Sequence, residues 1–130
     1  MQQHPRMLWK PIIEEAIWEK LNKGRIEMNA RQAKLWDVIR IQPEKWVQEP
    51  WGTAGGGFWV VGLIGSMVIW FNDIEDGFNR SSYARYGIIK DYWCNQNELE
   101  RAIQEVLDII DTGYETGGFA GPPQPGEFNP

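Results

Sequence analysis

The chain has 130 residues, 42% of them apolar and 13% aromatic, with eight Trp. That fits one folded domain with a real core and excludes a chain disordered throughout. The net charge of −5 divides into +2 over residues 1–50 (nine Lys/Arg, seven Asp/Glu) and −7 over residues 51–130 (four and eleven). An acidic C-terminal half repels phosphate backbones, so no nucleic acid is expected as a partner, whereas a protein with a basic surface is.

Pro11 suits the first turn of a helix, where its missing N–H costs nothing. Ile12, Ile13, Ala16, Ile17 and Leu21 follow at helical spacing, and Gly24 is the expected C-terminal cap. Asn29 and Gln32 have the spacing of a capping box opening a second helix with Leu35, Trp36 and Ile39 on its apolar stripe. Pro43 ends it, and 43–46 is expected to begin a further helical turn. Glu49 to Gly57 reads as a loop. Phe58–Ile64 and Met67–Asn72 are rich in β-branched and aromatic residues with only Gly65-Ser66 between them, which predicts a hairpin with a type II′ turn. Strict alternation puts Val61 opposite Trp70, and puts Trp59 with Val61, Leu63, Val68 and Trp70 on one face. Both faces are apolar, so each must be covered, by helices or by a partner, and a homodimer burying the second face is one expectation.

Residues 72–85 read as a polar loop and 86–93 as a third, edge strand carrying Lys90 and Asp91. Asn95 and Glu98 are spaced as a second capping box. Leu99, Ala102, Ile103, Val106, Leu107 and Ile110 then form an apolar stripe, with Glu100, Arg101, Gln104, Glu105 and Asp108 opposite. The expected class is α+β: N-terminal helices, a three-stranded antiparallel meander and a C-terminal amphipathic helix packed on the sheet. One domain spans 1–112, and residues 113–130 form a Gly/Pro-rich tail whose composition predicts disorder.

The one cysteine, Cys94, can make no intrachain disulfide, and residues 1–6 lack the basic-then-apolar pattern of a secretory signal. The longest apolar stretch, 58–71, is broken by Gly62, Gly65 and Ser66 and is too short to span a bilayer. A cytoplasmic location without membrane contact is therefore expected.

The chemistry-bearing residues are few. A Cys94 nucleophile needs a base, and the only histidine is His4, near the terminus. One Cys and one His make no zinc site, so no metal and no cofactor is expected. Gly55-Gly56-Gly57 precedes a strand, whereas a phosphate-binding loop follows one and opens a helix. Asp73, Glu75 and Asp76 are candidate oxygen ligands for a hard cation. An EF-hand register centred on Gly77 places Ile74 at position three and Tyr83 at position twelve, so it fails. The same carboxylates keep a metal-dependent hydrolase open as the alternative. The preferred reading joins them to Asn79, Arg80, Tyr83, Arg85 and Trp93, since Arg with aromatic residues dominates interface energetics. Trp46, Trp51 and Trp93 flank loops and either line a site or anchor the loops.

The stretch 68–79, with Tyr86-Gly87, residues 92–96, Leu35-Trp36 and residues 43–46, resembles a group of small bacterial proteins of no assigned function, over roughly residues 30–110. That resemblance carries over neither a function nor a set of catalytic residues. In size, charge and fold class the chain is also similar to toxin-immunity proteins. The expected function is a non-enzymatic protein-binding domain, of inhibitor or immunity type, acting through an acidic-aromatic loop.

Overall fold

The computed structural model describes residues 10–49 and 56–122; His4, Trp51, Gly55 and residues 123–130 lie outside them. The fold is α+β. Helices α1 (Glu14–Glu27) and α2 (Ala30–Ile39) lead into strands β1 (Arg40–Trp46), β2 (Phe58–Ile64), β3 (Met67–Asn72) and β4 (Gly77–Ser82), and helix α3 (Leu99–Thr112) follows. The sheet is an antiparallel meander in the order β1-β2-β3-β4, so it has four strands where three are expected. No described helix is long and apolar enough to cross a membrane.

The three helices cover one face. Ile17 and Leu21 of α1, Trp36 and Ile39 of α2, and Ile103 and Val106 of α3 bury against Val61, Ile69, Phe71 and Phe78. The other face carries Phe58, Val60, Val68 and Trp70, all at most 1% exposed. It is closed by the chain itself: Tyr83, Ile89 and Tyr92 of the 83–97 segment pack there with Trp46. The second apolar face is therefore not left for a copy of the chain.

The capping box of α2 forms as expected: the Asn29 side chain accepts from the Gln32 N–H, and the Gln32 side chain accepts from the Asn29 N–H. Gly24, the expected cap of α1, lies instead inside that helix, buried against Leu99. Leu99 leaves no room for a side chain there, so the glycine serves the α1–α3 contact.

Residues 43–46 are not helical. The chain passes from α2 into β1 with no intervening loop, and Pro43 sits where the β1–β2 register shifts between Arg40 and Glu44. An edge strand at an irregularity is where a sheet tolerates a residue with no N–H to donate. The β2–β3 hairpin has the expected strands, with Ile64 opposite Met67 and Gly65 at φ +58. Its phase differs beyond Leu63. A bulge between Val60 and Gly62 pairs Trp70 with Val60, not Val61. Val61 and Trp59 thereby turn to the helix face, while Leu63 and Trp70 stay on the other.

Half of the expected loop 72–85 is strand. A turn at residues 73–76 reverses the chain, and β4 runs beside β3 from Asn72↔Gly77 to Met67↔Ser82. The expected strand 86–93 is irregular backbone with isolated bridges only, Val47↔Ile88 and Arg85↔Ile88. The N-cap of α3 is Glu98, without a side-chain capping bond, so Asn95 is not the cap. On α3, Ile110 is 54% exposed, whereas Glu105, expected on the polar face, is buried.

Candidate functional site

The structure distributes the expected binding residues over three places. The acidic residues form the β3–β4 turn. Asn72 shapes it: its side-chain oxygen accepts the N–H groups of Ile74 and Glu75. Asp73 accepts the Ile12 N–H at 2.7 Å, while Asp76 meets Lys20 at 3.4 Å on the surface. Glu75 offers its carbonyl to Gln96. Among the described residues no three His, Cys, Asp or Glu side chains stand together as a metal site.

Asn79 and Arg80, on β4, are both 2% exposed. Alternation along the strand sends them to opposite faces. Asn79 bonds to the backbone of Asn95 in the 83–97 segment. Arg80 points toward α3, where its Nε donates to Glu105 at 3.0 Å. Its two terminal nitrogens donate to the two oxygens of Glu115, at 2.9 and 2.8 Å, in a bidentate pair. Burial works against the guanidinium charge, but the hydrogen bonds and charges of Glu115 and Glu105 outweigh it and hold the Arg80 pKa above its ordinary value. The same Arg80 bonds pull the Glu115 carboxyl below the usual range, against a smaller opposing effect of burial.

Glu115 belongs to the strap 113–122 that follows α3. Phe119 of the strap stacks on Trp93 with ring centroids 4.7 Å apart, and the Arg80 guanidinium stands 5.0 Å from the Phe119 ring. Trp93 is thus joined to Arg80 through the strap, while the Asn79 side chain, on the other face of β4, holds the backbone of Asn95 two residues further along.

The third place is a displayed turn. Arg85-Tyr86-Gly87-Ile88 closes with the Ile88 N–H donating to the Arg85 carbonyl at 3.1 Å, and Gly87 has φ +95. A positive φ at the third residue is the type II pattern, which favours glycine there. Gly87 and Ile89 bracket Val47: the Val47 N–H donates to Gly87 O, and the Ile89 N–H donates to Val47 O. The turn is therefore tied to the end of β1. Tyr86 lies at its tip, 63% exposed, and its inner face rests on buried Trp46 at 4.6 Å. Its hydroxyl donates to Glu44, which also accepts from Trp46 Nε1 at 2.9 Å. That bond, then burial, raises the Tyr86 pKa. Tyr83 completes the support, edge-on to Trp46 at 5.1 Å, with its hydroxyl donating to Gly65 O. Arg85 is exposed beside it, and Val47 and Ile88 remain 40% and 38% exposed.

Residue-type reasoning reaches Tyr83 and Arg85 but neither Ile88, which reads as part of a strand over 86–93, nor Val47. The Tyr-Gly pair with glycine in the third turn position was the available signal. A cleft of about 270 Å³ between α1, α2 and β1 was also missed; Trp18, Trp36, Arg25 and Arg40 are among its walls. Its residues come from three elements, and no local pattern joins them.

Burial pushes the Cys94 thiol pKa up; a hydrogen bond with Tyr92 opposes this and the charge of Glu75 adds to it. A thiol held protonated is a poor nucleophile.

Comparison of the chain with protein-family models, with curated proteins and with solved structures gives no match.

Proposed function

We propose that this chain is a non-enzymatic protein-recognition domain whose contact surface is the Arg85–Ile88 turn with the end of β1. The observation that carries the reading is Tyr86: a large aromatic ring, mostly exposed, yet held in place by Trp46 and Glu44. Exposing such a ring forgoes burial energy of roughly 2 kcal/mol. Holding it rigid removes the rotamer entropy that binding would otherwise cost. Arg85 and the half-exposed Val47 and Ile88 surround it with the mixture of charge and apolar area found at interface hot spots. The acidic turn, with Glu75 and Asp76, contributes by attracting a basic partner over longer range.

The test uses a captured partner and measures both rate constants. Tyr86→Ala should raise the off-rate at least tenfold, while Glu75→Lys with Asp76→Lys should slow association at low salt and leave the off-rate nearly unchanged. A partner bound equally well by the wild type and by Tyr86→Ala removes this surface from the account.

A further inference from the structure

We propose that the groove between β4 and residues 91–95 is a docking site for an acidic-aromatic peptide of another protein, and that the chain's own strap, residues 113–122, occupies it as a tethered competitor. The site is separate from the Tyr86 surface and does not depend on it.

Arg80 is built in two halves. Its Nε is fixed to Glu105 of α3, itself 3% exposed, and Glu105 also meets Asn97 at 3.4 Å and Arg101 at 3.5 Å. That half belongs to the core. The terminal nitrogens face the strap and are met there by Glu115. A buried guanidinium presenting two parallel donors recognises a carboxylate in a defined orientation. Without the strap, Arg80 would retain its core anchor and present those donors to any carboxylate arriving in the groove.

The remaining contacts ask little of the strap's sequence. The Cys94 N–H donates to the Ala120 carbonyl at 2.6 Å, the Asn95 side chain accepts the Ala120 N–H at 2.7 Å, and it donates to Gly118 O at 3.3 Å. These bonds read backbone, as in strand-addition recognition of peptides. Trp93 supplies a flat shelf for one aromatic ring, which Arg80 borders. Beyond the Phe119 ring a cavity of about 290 Å³ continues between Met67, Ser82 and Asp91, so the groove accepts a larger side chain than the one it holds.

The strap is a light occupant. Between Glu115 and Phe119 stand only Thr116, Gly117 and Gly118, and residues 113–120 are exposed apart from Gly117. It leaves α3 through Gly113 in the left-handed conformation. A tethered segment with two anchoring side chains competes at a high effective concentration but gives way to a better ligand. The ligand class follows: a peptide with a carboxylate, small residues, and an aromatic ring four positions after the acid.

The probe is a fluorescent synthetic peptide of residues 112–122, titrated by anisotropy into the full chain. Glu115→Ala with Phe119→Ala weakens the strap while leaving the groove intact. That variant should bind the peptide at least tenfold more tightly than the wild type does, and a peptide carrying the same two alanines should not bind. Far-UV circular dichroism confirms folding; Phe119→Ala alone, at a residue 42% exposed, serves the same readings if the double variant does not fold. Equal binding by the folded variant and the wild type, or equal binding of the alanine peptide, overturns the proposal. A wild-type dimer in sedimentation that the double substitution abolishes also overturns it, since the occupant would then be the strap of a second copy.

Discussion

The side chain of Asn79 pairs with the backbone of Asn95 as a neighbouring strand would: its Nδ2 donates to the Asn95 carbonyl at 2.9 Å, and its Oδ1 accepts the Asn95 N–H at 2.8 Å. One amide thus ties the irregular 83–97 segment to the ordered sheet. Asn79→Leu removes both bonds and leaves buried polar groups behind, at a cost of about 2 kcal/mol. Urea denaturation should show a lower midpoint at unchanged slope. An unchanged midpoint would mean that this amide adds nothing to the segment's other ties, at Val47 and Ser81.

Arg80 and Glu105 stand in the interface between β4 and α3 at 2% and 3% side-chain exposure. Removing Arg80 leaves the buried Glu105 charge to its longer contacts with Arg101 at 3.5 Å and Asn97 at 3.4 Å, so Arg80→Met should cost about 3 kcal/mol. Replacing both, Arg80→Met with Glu105→Leu, should cost less than the single change, because no buried charge is left alone. A double variant no more stable than Arg80→Met alone, measured in the same denaturation, would contradict this account of the pair.

Gly24→Ala tests the α1–α3 contact. Alanine is better than glycine in a helix by about 1 kcal/mol. Here the added methyl carbon would stand 2.8 Å from Leu99 Cβ, which the α3 backbone fixes. Overpacking of about 1–3 kcal/mol should outweigh the propensity gain. The expected result is a lower melting temperature; a higher one would mean that the helices separate freely.

The Arg80–Glu115 bond makes the strap sensitive to acid. Glu115 has a carboxyl pKa depressed in the folded chain, so its contribution is fully present above its unfolded pKa and is lost as pH falls through the folded value. Its partner Arg80 on β4 also pairs with Glu105 on α3, which in turn meets Arg101. Trp fluorescence followed down in pH should report release of Phe119 from Trp93 before the fold is lost. Glu115→Gln should abolish that early step, and its persistence would assign the step to another group.

The hairpin and the helices were legible because local pattern and tertiary role agree there. Phe58–Asn72 carries β-branched and aromatic residues around Gly65-Ser66, and α3 a long apolar stripe. The bulge at Val61 left no trace, since both faces of the hairpin are apolar and alternation gave no phase reference. β4 was hidden because Asn79, Arg80 and Ser81 are polar yet buried, their partners supplied by distant segments: Asn95, Glu105 and the Asp91 carbonyl. β1 was hidden by Pro43, which reads as a breaker and is tolerated at an edge irregularity. Of the displayed turn, Tyr83 and Arg85 were recognised by residue type. That Tyr86 is the exposed member depends on Trp46 and Glu44, some forty residues earlier in the chain.

The most direct measurement is hydrogen exchange of the chain free and bound to a captured partner. The account predicts new protection at residues 83–88 and 44–47, with β3 and α3 unchanged. Protection confined to the helical face, with the Tyr86 turn exchanging as in the free chain, would contradict it.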